Sequence, residues 1–405
     1  MFAAAARPVN WRRNLVALWI TNFTGILGVT AMIPFVAFFL ARDLGVHRPS
    51  ELALWTGGAA ASSGLGQAIA GPVWGALGDR FGRKPLLLRA VLMGGAFMIL
   101  TSLSRSPQEL LLYRFAFGLL AGPIPIAMAI VATETPQVHV ARSLGILNSA
   151  TALAAGIGPA LGAVIVGIVD VRYIFAVAGA GLLISSVFVI TMVTESPRRA
   201  RARDAQAPSG PLRGALLGTV VFILVALGIA SAVTTMVLPL VSLRFLELVP
   251  DRAAAVTGIA FAISGVMTAI AGAAFGSILS RLRYRRTAVG AAFILGLAVI
   301  AVAAFTNLPP VFAAFAVYGF MQGLLLPVIS SVMAVEVPSR LHSTVFGMSA
   351  SAAALGYTAG PSLAGTVAAS TSIAMALAFA GSLSVVLAVL LGVRLREPVA
   401  PASVS

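Results

Sequence analysis

Ten residues, GALGDRFGRK at 75–84, gather an acid, three bases and three glycines in a chain that is otherwise poor in charge. Asp79 ends a long apolar run, and a carboxylate at the C-terminal end of a helix is disfavoured by the helix dipole. Its charge has to be compensated by Arg80, Arg83 or another helix. A later apolar run begins near Ser343, and a helix start offers free N–H groups and a partial positive charge. Asp79 is therefore expected to dock there in one state and release in another, a conformational latch. Gly75, Gly78 and Gly82 would permit the tight turn and close helix approach. Arg80, Arg83 and Lys84 belong either to this latch or to plain anchoring at the inner membrane face. Asp79→Asn is then expected to abolish that switching.

Arg114 is the one basic residue inside an apolar run. A permanent guanidinium in hydrocarbon costs at least about 2.5 kcal/mol, so it should face a hydrated cavity or a partner. There it would bind an anionic substrate group or shift the pKa of a neighbouring acid; the alternative is snorkelling or bonding to backbone carbonyls. None of the twelve acids sits in the middle of a run. Asp43, Glu51, Glu109, Asp170, Glu247 and Asp251 fall near outer ends, and Asp79, Glu134, Glu195, Asp204, Glu336 and Glu397 near inner ends. Glu134 and Glu336 are placed to fix loops by pairing with Arg142 and Arg340. With no Cys and three scattered His, the sequence holds no disulfide framework, thiol catalyst or metal-ligand set, and no cofactor is expected. No phosphate-cradling Gly-rich loop followed by Lys-Ser or Lys-Thr occurs, which argues against a built-in ATPase.

The elements that position these residues are apolar helices. Hydrophobic residues make up 59% of the 405-residue chain and charged residues 10%, against roughly a quarter charged in soluble domains. Continuous apolar runs of about 20 residues, enough to cross some 30 Å of hydrocarbon, recur from end to end. They are expected at 14–40, 52–78, 85–104, 107–133, 140–169, 172–194, 213–243, 252–280, 286–305, 309–335, 341–369 and 373–394. The expected fold is thus an all-α membrane protein of twelve transmembrane helices. A β-barrel would alternate in short segments instead. The basic N-terminus precedes a run too long for a signal-peptide core, so a retained first span is expected.

A net charge of +15 would suit nucleic acid, but its distribution follows topology. With the N-terminus inside, twenty of the 27 basic residues fall on inner segments and six on outer ones. That asymmetry places both termini in the cytoplasm of a multi-pass protein. Nucleic acid is not needed as a partner.

Residues 195–212, rich in Arg, Pro and Ser, read as a cytoplasmic linker between an N-terminal six-helix bundle (1–194) and a C-terminal one (213–405). The halves resemble each other. GALGDR at 75–80 aligns with GSILSR at 276–281, and Gly118 with Gly319, at an offset of 201. At an offset of 202, TETP at 133–136 aligns with VEVP at 335–338, and Gly158-Pro159 with Gly360-Pro361. Ser280 replaces the acid in the second copy. Parallel six-helix repeats are a transporter architecture, with the cavity where the halves face each other. Gly158, Pro159, Gly162, Gly360 and Pro361 remove donors and side chains, suiting a hinge or seal. The cavity candidates are Asn22, Gln67, Arg114, Asn148, Met236, Met267, Tyr318, Gln322 and Tyr357. A few hydrogen-bonding groups among Met, Phe and Tyr suit bulky amphipathic small molecules. A sugar site would cluster more Asn, Gln, Trp and acid, and a phosphate site paired bases.

In these motifs the chain resembles the major facilitator superfamily, and within it the twelve-helix drug:proton antiporters of the bacterial cytoplasmic membrane. GALGDRFGRK is similar to the superfamily's signature between spans 2 and 3, and YRFAFGLLAG at 113–122 to its span 4 signature, with Phe117 in place of a polar residue. AAGIGPALGA at 154–163 resembles the antiporter signature of span 5, with Ala154 for its first Gly. The resemblance implies a monomeric secondary transporter exporting drugs or hydrophobic compounds against proton entry, with Arg114 involved in coupling and Asp79 and Glu134 as candidate proton carriers, Glu134 being as well placed to fix its loop. It departs from the family in span 1, which carries Thr21, Asn22, Thr24 and Thr30 but no embedded acid. The missing acid supports the alternative of a facilitator or importer of a small metabolite. A membrane enzyme would show clustered His, Asp, Glu or Ser at one face, and a sensor an appended soluble domain; neither pattern is visible.

Overall fold

The computed structural model describes residues 9–196, 215–337, 342–395 and 397. Within its helices, the side chains at 71, 72, 75, 76, 78–81, 137, 141, 152, 215, 216, 342–344, 346, 347 and 350 lie outside the described residues. Every regular element among the described residues is helical. In hydrocarbon each backbone N–H and C=O must be satisfied within its own segment, which for a chain of long apolar runs means helices.

α1 (Trp11–Met32) starts on Asn10, whose side chain accepts from Arg13 N, and passes through a 3-10 turn at Ile33–Phe35 into α2 (Val36–Arg42). Pro34 sits in that turn, lacking the N–H that a continuous helix would use. α3 (Pro49–Phe81) and α4 (Arg83–Ser102) follow, separated by Gly82 alone. α5 (Pro107–Leu120) and α6 (Pro123–Glu134) divide the run expected to be continuous over 107–133. The break at Ala121–Gly122 has a chemical cause: Pro123 and Pro125 cannot donate to the carbonyls of Leu119 and Ala121, and Gly122 takes φ 95°. α7 (Gln137–Ile168) and α8 (Arg172–Met192) complete this part of the chain.

From residue 215 onward come α9 (Ala215–Leu248), α10 (Ala253–Ala304), α11 (Leu308–Glu336), α12 (His342–Ser370) and α13 (Ile373–Arg394). At 52 residues α10 is about 78 Å of helix, far more than one crossing requires. Its helical backbone breaks at Arg283, with φ 62° and ψ 169°, so the loop expected between 280 and 286 is reduced to one residue. Nine helices among the described residues are long and apolar enough to cross a membrane, α10 counted once.

The helices expose apolar side chains and bury large apolar, small and polar ones together. On α8, Val177, Ile184, Val187 and Ile190 are exposed, whereas Gly179, Ser185 and Ser186 are buried. Close approach of small residues is how helices associate where burial from water gives no drive. An added Cβ at Gly95 of α4 would lie 2.9 Å from Gly179 O, and one at Gly179 would lie 2.6 Å from Gly95 O. Gly296 of α10 and Gly381 of α13 repeat the contact, each added Cβ falling 2.6 Å from the other's carbonyl oxygen. The second pair lies 201 and 202 residues after the first, the offsets of the sequence repeat.

The chain forms two compact units. One contains Met1–Phe35 with Ser62–Ala207, and the other Val36–Ala61 with Pro208–Ser405.

Candidate transport site

α5 is fixed at its start by a reciprocal cap: Ser106 Oγ accepts from Glu109 N at 3.2 Å, and Glu109 Oε2 accepts from Arg105 N at 2.8 Å. Arg114, about two turns further on, is 4% exposed. Its Nη1 donates to Met32 Sδ at 3.3 Å, and the guanidinium lies 5.6 Å from the Phe117 ring centroid. Soft sulfur and an aromatic face thus hold part of a buried cation that would be costly in bare hydrocarbon. Asn22 on α1 is also buried, and its Oδ1 has no hydrogen-bond partner among the described residues. It precedes Met32 by ten residues, about 15 Å along the helix, so Arg114 and Asn22 do not share one contact shell.

In the second unit, Tyr318 of α11 is fully buried and its hydroxyl donates to Thr234 O of α9 at 3.3 Å. Its ring stacks on Phe315 with centroids 5.1 Å apart, and Phe315 meets Phe261 of α10 edge-on at 5.2 Å. Met236 is buried two residues beyond Thr234. Gln322, half-buried, follows Tyr318 by one turn on the same face of α11, and Met267 of α10 is likewise half-buried. Gln67 on α3, Asn148 on α7 and Tyr357 on α12 are exposed. The candidates therefore separate into an Arg114 cluster, an aromatic Tyr318 cluster and exposed polar groups.

The Gly-Pro positions carry a detail that sequence reasoning missed. Thr30 Oγ1 of α1 donates to Ala154 O of α7 at 3.0 Å, and Thr235 Oγ1 of α9 to Gly356 O of α12 at 3.4 Å. Gly158 and Gly360 make room: an added Cβ would lie 2.1 Å from Thr30 Oγ1 in the first case and 2.5 Å from Thr235 Oγ1 in the second. Gly162 packs against Ala31 O at 2.3 Å by the same measure. In the second unit the carbonyl of Pro361 faces Gly57 of α3, where an added Cβ would lie 2.3 Å away. Gly118 of α5 against Ser63, and Gly319 of α11 against Ser264, form one more repeated contact.

The charged turn is held by a residue that the sequence placed only near an inner end. Glu195 Oε2 accepts from Arg83 N and from Lys84 N, both at 2.9 Å, placing a carboxylate on the N-terminus of α4. Arg83 Nη1 reaches Ala129 O at 3.0 Å and Thr133 Oγ1 at 2.8 Å on α6. Lys84 Nζ donates to Ile190 O of α8 at 3.0 Å. These two bases tie helices together. Glu134 is buried, and its Oε1 accepts from Ser196 N at 3.1 Å; no ion pair joins it to Arg142 among the described residues. Gly82 makes the turn at φ 92°. The side chains of Asp79 and Arg80, the surroundings of Gly75 and Gly78, and the side chains at the start of α12 lie outside the described residues, as does Arg340.

The helix break beside the Arg114 cluster is also braced. Trp74 Nε1 of α3 donates at 2.7 Å to Leu119 O, the carbonyl that Pro123 leaves without its usual donor. The Arg89 guanidinium of α4 lies 3.3 Å from the Trp74 ring centroid. An indole N–H and a cation on its face therefore support a span divided into two helices. The proline pair was the available sequence signal for the break; nothing in the sequence marked Trp74 as its partner.

Among the described residues no group of three or more His, Cys, Asp or Glu is placed to hold a metal. Residues 18–249 and 250–405 match the family profile described as Major Facilitator Superfamily. The chain is 28% identical over 376 residues to multidrug resistance protein MdtG of Proteus mirabilis strain HI4320, covering 90% of this chain and 91% of that protein. It is 28% identical over 412 residues to the protein of the same name in Klebsiella pneumoniae strain 342, covering 99% and 98%. The fold is similar to the crystal structure of a D-xylose–proton symporter, with a TM-score of 0.73 at 17% identity over 95% of this chain and 98% of that one.

Proposed function

The chain belongs to the Major Facilitator Superfamily, and from that premise we propose that it exports amphipathic drugs or other hydrophobic small molecules by alternating access, driven by proton entry. The observation that carries the reading is the near full-length similarity to proteins named for multidrug resistance. The Tyr318 cluster adds to it, because its stacked aromatic rings make an apolar wall with few hydrogen-bonding groups. Such a wall tolerates many shapes.

Twelve spans follow from the helix bounds if α1 with α2, and α5 with α6, each make one crossing and α10 makes two. Two six-helix halves joined by residues 195–212 then carry the repeat, with both termini cytoplasmic in a bacterial inner membrane and a monomer as the working unit. Arg114 is assigned to coupling. A potential of 100 mV supplies about 2.3 kcal/mol per charge moved, so proton entry can drive export without ATP. Asp79 is assigned to the latch, Glu134 to coupling or to its support, and Gly158-Pro159 with Gly360-Pro361 to hinging and sealing.

A second reading has one observation in its favour: no acid lies in the middle of a span. A facilitator or importer of a small metabolite would need none. The test is a substrate panel in cells lacking their own exporters, comparing the wild-type chain with Asp79→Asn and Arg114→Ala. Export predicts lower accumulation of amphipathic compounds with the wild type and none of that protection with either variant. Higher accumulation of a metabolite in wild-type cells would replace export with import.

A further inference from the structure

Trp11, Arg12 and Trp19 of α1 face His139, Arg142 and Ile146 of α7 around a cavity of about 590 Å³ inside the first unit. On each helix the lining residues recur at three- and four-residue spacing, which puts them on one face. Trp11 stacks on His139 with ring centroids 5.1 Å apart, and the Arg12 guanidinium lies 5.2 Å from the Trp11 centroid. Trp19 is fixed in place: its Nε1 donates to Ser149 Oγ at 3.2 Å and its ring stacks on Phe23 at 5.2 Å. From Trp11 to Trp19 the wall is eight residues, about 12 Å of helix.

The two ends of this cavity differ in chemistry. Arg12, His139 and Arg142 lie at the end where α1 and α7 begin, and neither arginine has an acidic partner among the described residues. Deeper in, Trp19 and Ile146 make an apolar wall. Plain charge anchoring at a membrane face requires neither a cavity nor stacked rings. A cavity of this size is in the range that takes a small organic molecule, and guanidinium forks match carboxylate, sulfonate or phosphate heads.

We propose that the α1–α7 cavity binds an amphipathic anion, its acidic head between Arg12 and Arg142 and its aromatic or apolar body along Trp11 and Trp19. Given the export reading above, on which this rests, the cavity opens at the inner membrane face and receives the compound there. The same head-and-body chemistry exists in an anionic phospholipid of the inner leaflet.

The test is equilibrium binding of radiolabelled 2-naphthalenesulfonate to the full-length protein in phosphatidylcholine nanodiscs. Saturable binding is expected, weakened at least tenfold in the double variant Arg12→Gln/Arg142→Gln. Trp19→Ala should weaken both this probe and its neutral counterpart 2-naphthylmethanol, whereas the double arginine variant should leave the neutral compound unchanged. Monodisperse elution and an unaltered helical melting curve serve as the folding check on each variant. Nanodiscs with phosphatidylglycerol distinguish the sources: competition assigns the site to lipid as well, and its absence reserves it for soluble amphiphiles, either result sustaining an amphipathic-anion site. An unchanged Kd in the folded double variant overturns the proposal. A wild-type chain that binds the probe but exports nothing overturns the export reading and leaves the site standing.

Discussion

The turn before α4 and the break inside α10 occupy equivalent places in the repeat, and they share less than their helices do. Both are capped by a carboxylate 111 to 113 residues further along the chain: Glu195 accepts from Arg83 N and Lys84 N, and Glu397 from Tyr284 N and Arg285 N. In both, a base then reaches the helix that ends beside the cap, Lys84 to Ile190 O and Arg285 to Gly392 O. The conformation at the turn differs in kind. Gly82 takes φ 92° at no steric cost, while Arg283 holds φ 62° and ψ 169°, a region that only glycine adopts freely. The acid of the first copy, Asp79, is Ser280 in the second.

Features present in both copies are those the architecture requires: the carboxylate cap, the Gly95–Gly179 and Gly296–Gly381 contacts, and the hydroxyls of Thr30 and Thr235. Features present once are candidates for work that only one half performs. Asp79, Arg89 and Trp74 belong to that set, Gly290 and Phe275 standing where the repeat would place the last two.

Substitutions in the two copies test this contrast. The largest expected effect is on transport: Asp79→Asn abolishes efflux with normal membrane insertion, while Ser280→Asp leaves efflux standing, both read by accumulation of an exported dye. Next in size are the shared contacts. Gly118→Ala and Gly319→Ala put a methyl 2.0 and 2.4 Å from the carbonyl oxygens of Ser63 and Ser264, and each should destabilise the protein by about 1–3 kcal/mol in thermal or denaturant unfolding. Glu195→Gln and Glu397→Gln should cost similar amounts, about 1–2 kcal/mol each, because each removes the charge from a helix N-terminus cap. A large loss at one and none at the other would end the claim that the caps are equivalent. The smallest effect has opposite signs in the two copies: Arg283→Gly should stabilise by up to about 1 kcal/mol as strain is relieved, and Gly82→Ala should destabilise by about 1 kcal/mol.

Much of this was legible in the residues themselves. Apolar runs mark helices because no other open-chain structure satisfies its backbone in lipid, and Arg114 was conspicuous because a guanidinium there must be accommodated. The offset of 201–202 that aligned the Gly-Pro pairs also relates Glu195 to Glu397, so the caps were within reach of the same comparison. Other features depend on distances that spacing does not carry. Trp74 meets Leu119 O only because α3 and α5 pack closely at Gly66, where an added Cβ would lie 2.4 Å from Phe115 O. Thr30 reads as an ordinary span hydroxyl until Gly158 lets it reach the neighbouring helix. The division of one span into α5 and α6 was signalled by Pro123 and Pro125, yet an apolar run of normal length conceals it.

The central claim is export of an amphipathic compound in exchange for protons. Its most direct test uses proteoliposomes of the purified chain with a pH-sensitive dye inside and a compound that the cell panel identifies as exported. Adding the compound to one side should move protons the opposite way at a rate that saturates with its concentration and vanishes in Arg114→Ala. Transport of the compound with no proton movement would contradict the account.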